Sequence, residues 1–286
     1  MKTYTQTLAT KDGQRTFYYA CPDDVTRGER LPLVFCFHGA GSSAKEHMAM
    51  TRFHHKVEEE NIIVVFPEAI QLDAQKRMSK QWNEGRAKNP VFQHGIDDEQ
   101  FVMDMIDFFK DTINVDDKRI FVTGFSNGSA FSLKLALRYQ DVFAGVGGVA
   151  GPVVKDSAER TNWRRPMPLI FFMGEKDPVV PYDGVFHPPY VIDQLLSAEE
   201  TAAHFAQSLT APLQKRVEEL DAAGPGFKQT FSGREGDAVV FYSMEEAGHT
   251  WPGGPMAQET AYTGKVNTQL DATSLMWEHL KETAVP

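Results

Sequence analysis

Two cysteines in 286 residues are too few for a disulfide framework. Cys36 lies inside the apolar run 33–37, so both cysteines read as free thiols suited to a reducing compartment. No run of about 18 apolar residues occurs, which excludes a membrane-spanning helix. Residues 1–7 have no apolar core of signal-peptide length, so the sequence as written predicts no export address. Positive charge is also scarce: 29 Lys and Arg face 39 Asp and Glu for a net charge of −10, with no basic cluster. That balance argues against nucleic acid and anionic membrane surfaces as partners. Internal repeats and low-complexity tracts are missing, which excludes solenoids. No Gly-Lys-Ser/Thr follows the first Gly-rich loop, so a phosphate-binding P-loop is excluded as well.

What is present reads as one α/β domain over residues 1–286. Hydrophobic content of 42% with 24% charged residues is ordinary for a globular chain that can bury a large core. Residues 33–37, 61–66 and 119–123 are continuous apolar runs, the mark of strands covered on both faces in a mostly parallel sheet. Residues 4–8 and 15–19 flank Lys11-Asp12-Gly13 and predict an N-terminal antiparallel hairpin. Further strands are expected at 143–150, 168–173 and 238–243. Helices are expected after Asp97, from Ser197 to about Leu209, and over 267–282. Asp97 reads as an N-cap with Gln100 in the capping-box position, a better account of the adjacent carboxylates than a metal. Residues 182–236 read as an irregular excursion near the site, too short for a second domain.

The sequence is organised around Gly124-Phe125-Ser126-Asn127-Gly128. An apolar β-branched run enters this pentapeptide and a helix-period segment leaves it, which is the strand, tight turn and helix that an exposed nucleophilic serine needs. Glycines two positions either side of Ser126 leave room for the turn. Upstream, His38-Gly39-Ala40 follows a buried strand, and its backbone N–H groups are placed to hold an oxyanion. The N–H of Ala40 and the N–H of Asn127 are the expected pair, and His38 is expected to be structural. Downstream, Asp177 and His249 each follow a strand, 51 and then 72 positions later.

Serine needs an imidazole to take its proton, and the imidazole needs a carboxylate to fix its tautomer. Ser126, Asp177 and His249 supply all three, in the chain order of α/β-hydrolases. Asp183 and Asp193 are weaker candidates for the acid. His47, His54, His55, His94, His187, His204 and His279 lie on helical or loop segments that do not follow a strand after the acid. Trp82, in a polar irregular stretch, is either a cover for the core edge or a wall of a substrate cleft, and Trp251 is a further candidate wall.

Gly124-Phe125-Ser126-Asn127-Gly128-Ser129, the Gly174 to Pro181 segment and Gly248-His249-Thr250-Trp251-Pro252-Gly253-Gly254 together resemble the esterase family of polyhydroxybutyrate depolymerases and feruloyl esterases. His38-Gly39, Trp82-Asn83, Asp97-Asp98, Asp141, Ser197, Asp271 and Trp277 are also similar to that pattern, so the likeness spans about residues 30 to 282. The resemblance implies an α/β-hydrolase fold, no metal or other cofactor, and hydrolysis of carboxylic esters through an acyl-enzyme. Feruloyl or other aromatic esters of plant polysaccharide are the leading expected substrate. Hydroxyalkanoate oligomers and acetyl esters are alternatives, as are a peptidase, an acyltransferase or a non-catalytic ligand-binding relative on the same fold. Two departures stand out: the export signal and extra cysteines common in that family are missing, and the Ser197 region lacks its cysteine-marked turn.

Overall fold

A computed structural model describes residues 1–23, 29–186, 195–220, 224–234 and 238–286. Among the described residues, ten strands form one twisted sheet in the order β1-β2-β4-β3-β5-β6-β7-β10-β9-β8. They are β1 (Lys2–Thr10), β2 (Gly13–Cys21), β3 (Leu31–Phe37), β4 (Ile63–Pro67), β5 (Val115–Phe125), β6 (Gly145–Val149), β7 (Leu169–Gly174), β8 (Gln214–Glu219), β9 (Gly226–Ser232) and β10 (Ala238–Met244). The six from β4 to β10 in the middle of that order run parallel. The expected hairpin is β1 and β2, antiparallel to each other and joined to β4.

Continuous apolarity becomes burial on both faces: every residue of β3, β4, β6 and β7 is buried. Helices 98–112, 198–206 and 272–280 bury the apolar positions along one side of each, and helix 127–138 is buried at every position but Lys134 and Arg138. A fully buried Phe side chain contributes about 1.5–3 kcal/mol, and Phe35, Phe37, Phe66, Phe101, Phe109 and Phe121 are each at most 1% exposed. Asp97 accepts the Gln100 N–H as an N-cap at 3.1 Å, but the Gln100 side chain turns forward to Asp104, so only half of the expected capping box forms. Asp98 is buried against Arg15 at 2.7 Å. The two carboxylates are therefore used separately, and among the described residues no three His, Cys, Asp or Glu converge as a metal would require.

Within residues 182–236 the expected helix forms over 198–206 and carries the full Ser197/Glu200 capping box. The difference from an irregular excursion lies in β8 and β9, which extend the sheet beyond β10 as an antiparallel pair. Strand β8 lies at the outer edge with almost every side chain in water. Its sequence Gln-Lys-Arg-Val-Glu-Glu therefore shows no apolar period, and backbone pairing alone makes it a strand.

Two histidines buried beside β3 and β4 make the fold sensitive to acid. His38 is 0% and His47 1% exposed. Burial holds His38 down to about 4 and His47 down to about 3, against an ordinary 6.5. The His38 Nε2 accepts the Ala69 N–H at 3.1 Å, which leaves its proton on Nδ1 toward Gly39 O at 2.8 Å. His47 has no hydrogen-bond partner on either nitrogen among the described residues. The unfolded chain takes up protons at both positions near pH 6.5 while the folded chain does not, so stability is present above that pH and falls as pH drops toward 4. Each such group contributes a slope of at most about 1.4 kcal/mol per pH unit. Thermal melts between pH 7.5 and 5 are expected to show this fall, and His47→Leu to flatten it; an unchanged slope in that variant would assign the acid sensitivity elsewhere.

Candidate active site

Strand β5 ends in the turn that carries Ser126, which is half-buried. Ser126 has φ 54°, a left-handed conformation that a serine adopts only where its surroundings force it. Those surroundings are tight on every side. A Cβ on Gly124 would lie 2.2 Å from Gly128 O, and a Cβ on Gly128 would lie 2.2 Å from Phe37 O. Just past β6, a Cβ on Gly151 would lie 2.0 Å from Ser126 O. The Ser126 N–H is fixed by Val149 O at 2.8 Å, and Ser126 O accepts the Ala130 N–H in the first turn of helix 127–138.

The loop after β3 closes over this turn. A Cβ on Gly39 would lie only 3.3 Å from Ser126 Cβ, and Gly41 donates to Lys80 O at 2.8 Å. Ala40, Ser126 and Asn127 line one cavity of ≈ 640 Å³. Pro152, Pro178, Val179, Val180, Phe186 and Tyr262 form much of the rest of its lining.

Asp177 lies just past β7 and is buried. Its Oδ1 accepts the N–H groups of Val179 and Val180, both at 2.8 Å, and its Oδ2 meets His249 Nδ1 at 2.7 Å. With the carboxylate ionised, that contact puts the imidazole proton on Nδ1 and leaves the Nε2 lone pair for a proton acceptor role. His249 follows β10 on a turn pinned by Gly248 N–H to Lys265 O and His249 N–H to Thr263 O. Its ring packs on Phe125, the neighbour of Ser126, at 4.8 Å between centroids. Residues 72 positions apart in the chain are thus joined, with the ring against the residue that precedes the half-buried serine. Cys36 is no rival nucleophile, since burial pushes its thiol up to about 12.

The other candidates sort by geometry. Asp183 is exposed and turned onto its own loop, accepting the Val185 N–H at 3.0 Å. Asp193 and His187 lie outside the described residues. Trp82 and Trp251 do not wall a cleft, which decides Trp82 for the core and corrects the substrate-contact expectation for both: they are 0% and 1% exposed. The Trp82 indole stacks on Phe131 and donates to His38 O at 3.0 Å, and the Trp251 indole donates to Thr273. Their large apolar areas are worth more in the core than in water.

A hydrogen-bonded brace went unrecognised in the sequence. The Asn127 side chain accepts the Trp82 N–H at 2.7 Å and donates to Trp82 O at 3.1 Å, while Asn89 also donates to Trp82 O at 2.9 Å. Trp82 therefore ties the loop after β3 to the helix after Ser126. Partners 45 positions apart leave no local pattern to find.

Comparisons with known proteins bear on the family and the fold. The family model described as Phospholipase/Carboxylesterase matches residues 26–206, more than half of the chain. The candidate esterase NocK of Nocardia uniformis subsp. tsuyamanensis is 27% identical over 267 residues, covering 88% of this chain and 74% of NocK. Feruloyl esterase B of Piromyces equi is 28% identical over 165 residues, and the match covers 57% of this chain but 29% of that longer protein. A ferulic acid esterase from Anaeromyces mucronatus, solved in complex with ferulic acid, superposes with a TM-score of 0.61 at 12% identity, covering 99% of this chain and 90% of that one. At that identity the superposition speaks for the fold alone. Fold, serine turn and matched family model lead to one conclusion: this chain belongs to the phospholipase/carboxylesterase family of α/β-hydrolases and is a carboxylic ester hydrolase.

Proposed function

We propose that the chain hydrolyses esters in two steps through an acyl-enzyme on Ser126, and that its substrates are feruloyl or related aromatic esters of plant polysaccharide. His249 takes the Ser126 proton as the hydroxyl attacks the ester carbonyl, and Asp177 steadies the imidazolium. The tetrahedral oxyanion rests on the N–H groups of Asn127 and Ala40, where each donor is worth about 3 kcal/mol in the transition state. His249 then returns its proton to the leaving alcohol and activates water against the acyl-enzyme. The observation that carries this reading is the 2.7 Å contact between Asp177 and His249, whose ring packs on the residue preceding a strained, cavity-lining serine.

The aromatic preference draws support from the cavity and from the relatives. Its prolines and valines, with Phe186 and Tyr262, offer flat apolar surface to a phenyl ring. Two proteins named feruloyl esterase B are among the relatives. Acetyl ester hydrolysis is the second reading, favoured by the likeness to a bifunctional acetylxylan esterase/xylanase of Neocallimastix patriciarum. Values of kcat/KM on methyl ferulate, 4-nitrophenyl acetate and hydroxybutyrate oligomers, each normalised to its hydroxide rate, separate these readings. At least a tenfold advantage for methyl ferulate is expected; a flat profile would remove the aromatic assignment and leave the esterase in place.

A further inference from the structure

The end of the cavity formed by residues 82–89 carries charge that the ester chemistry does not use. Glu84 is 0% exposed yet contributes to the cavity lining. It accepts from Arg86 Nε and from Asn89 Nδ2. Asn89 also holds Trp82 O, and Trp82 is bonded to the side chain of Asn127, the neighbour of Ser126. An unbroken set of hydrogen bonds thus runs from the turn of the nucleophile to a guanidinium whose side chain is 19% exposed. Lys134 donates to Asn83 O at 2.7 Å and fastens the same loop to helix 127–138.

We propose that Arg86 is a carboxylate subsite, so that the ester taken by this cavity carries a second, negatively charged group. Glu84 holds the Nε–H and orients the guanidinium plane, and among the described residues the Nη edge of the fork is the donor surface for a ligand, the geometry that pairs with a carboxylate. In a chain of net charge −10, this end of the lining still presents the Arg86 guanidinium beside the buried Glu84. A guanidinium already held in place loses little freedom on binding, and the low-dielectric cavity strengthens the pairing. The remaining lining is largely apolar, which suits a substrate with an apolar body and one anionic end. The carboxylate belongs either to the acyl part or to the alcohol part, as a uronate neighbour of the esterified sugar would supply.

This inference rests on the reading of Ser126 as the nucleophile, and two measurements separate the fates of the two. Hydrolysis is compared within matched pairs: 4-nitrophenyl hemiglutarate against 4-nitrophenyl pentanoate for the acyl side, and 3-acetoxybenzoate against phenyl acetate for the alcohol side. The charged member of one pair is expected to lead its neutral partner by about tenfold in kcat/KM through a lower KM, after correction for hydroxide rates. Arg86→Lys, which keeps a cation against Glu84, and Arg86→Gln are expected to erase that ratio. Independently of turnover, monomethyl glutarate is titrated into Ser126→Ala by calorimetry, with binding expected to weaken about tenfold when Arg86→Lys is added. No charged preference in either pair, or ratios and binding that Arg86 variants leave alone, overturns the subsite and leaves the esterase standing. Retained binding with no turnover of any ester sinks the nucleophile reading and keeps the subsite.

Discussion

Ser126→Ala is expected to lower kcat for ester hydrolysis by about 10⁶-fold, the scale on which removing a nucleophile disables a serine hydrolase. It is also expected to abolish labelling by a fluorophosphonate probe. What remains is the background from donors and binding alone, about 10³-fold over water. Ser126→Gly is expected to be as inactive but more stable. The serine sits at φ 54° with its Cβ against the Gly39 loop, a conformation that costs a non-glycine residue of order 1–3 kcal/mol and costs glycine little. Rates, labelling and thermal melts on the same samples separate these effects. An alanine variant that still turns over or still labels would move the nucleophile elsewhere and take the acyl-enzyme reading with it.

Asp177→Asn is expected to lower kcat by about 10⁴-fold with little change in melting temperature. Oδ1 of Asp177 is committed to the Val179 and Val180 N–H groups, so an asparagine keeps its oxygen there and turns its NH₂ toward His249. An NH₂ donor facing Nδ1 selects the tautomer with the proton on Nε2, where the base should have its lone pair. The ring stays in place and faces the serine with the wrong atom. Asp183→Asn is expected to leave the rate within about twofold, because that carboxylate is exposed and bonded to its own loop at Val185. The reverse pattern, a mild Asp177→Asn and a severe Asp183→Asn, would reassign the acid.

Features carried by short spacing were legible before any coordinates. Gly124 and Gly128 announced the turn because a tight strand-to-helix reversal has no room for Cβ atoms, and both positions prove to abut backbone oxygens. The buried runs of β3, β4 and β5 announced a sheet covered on both faces. Misreadings fell where partners are far apart or where water hides the pattern. Trp82 and Trp251 looked like cleft walls because they sit in polar, irregular sequence, but only packing reveals that their indoles turn inward to Phe131 and Thr273. Strand β8 has no apolar period to read because its side chains lie in water and only its backbone pairs.

The sequence by itself determined which chemistry-bearing residues exist, their order along the chain, and the glycine turn that displays one of them, since these depend on contacts within a few positions. Only the tertiary structure decided that Asp177 rather than Asp183 meets His249, and that Asn127, Trp82, Asn89 and Glu84 form one brace reaching Arg86. Those contacts join segments that the parallel sheet brings to one edge. Their cost is the entropy of closing long loops, which the buried core offsets and no local pattern records.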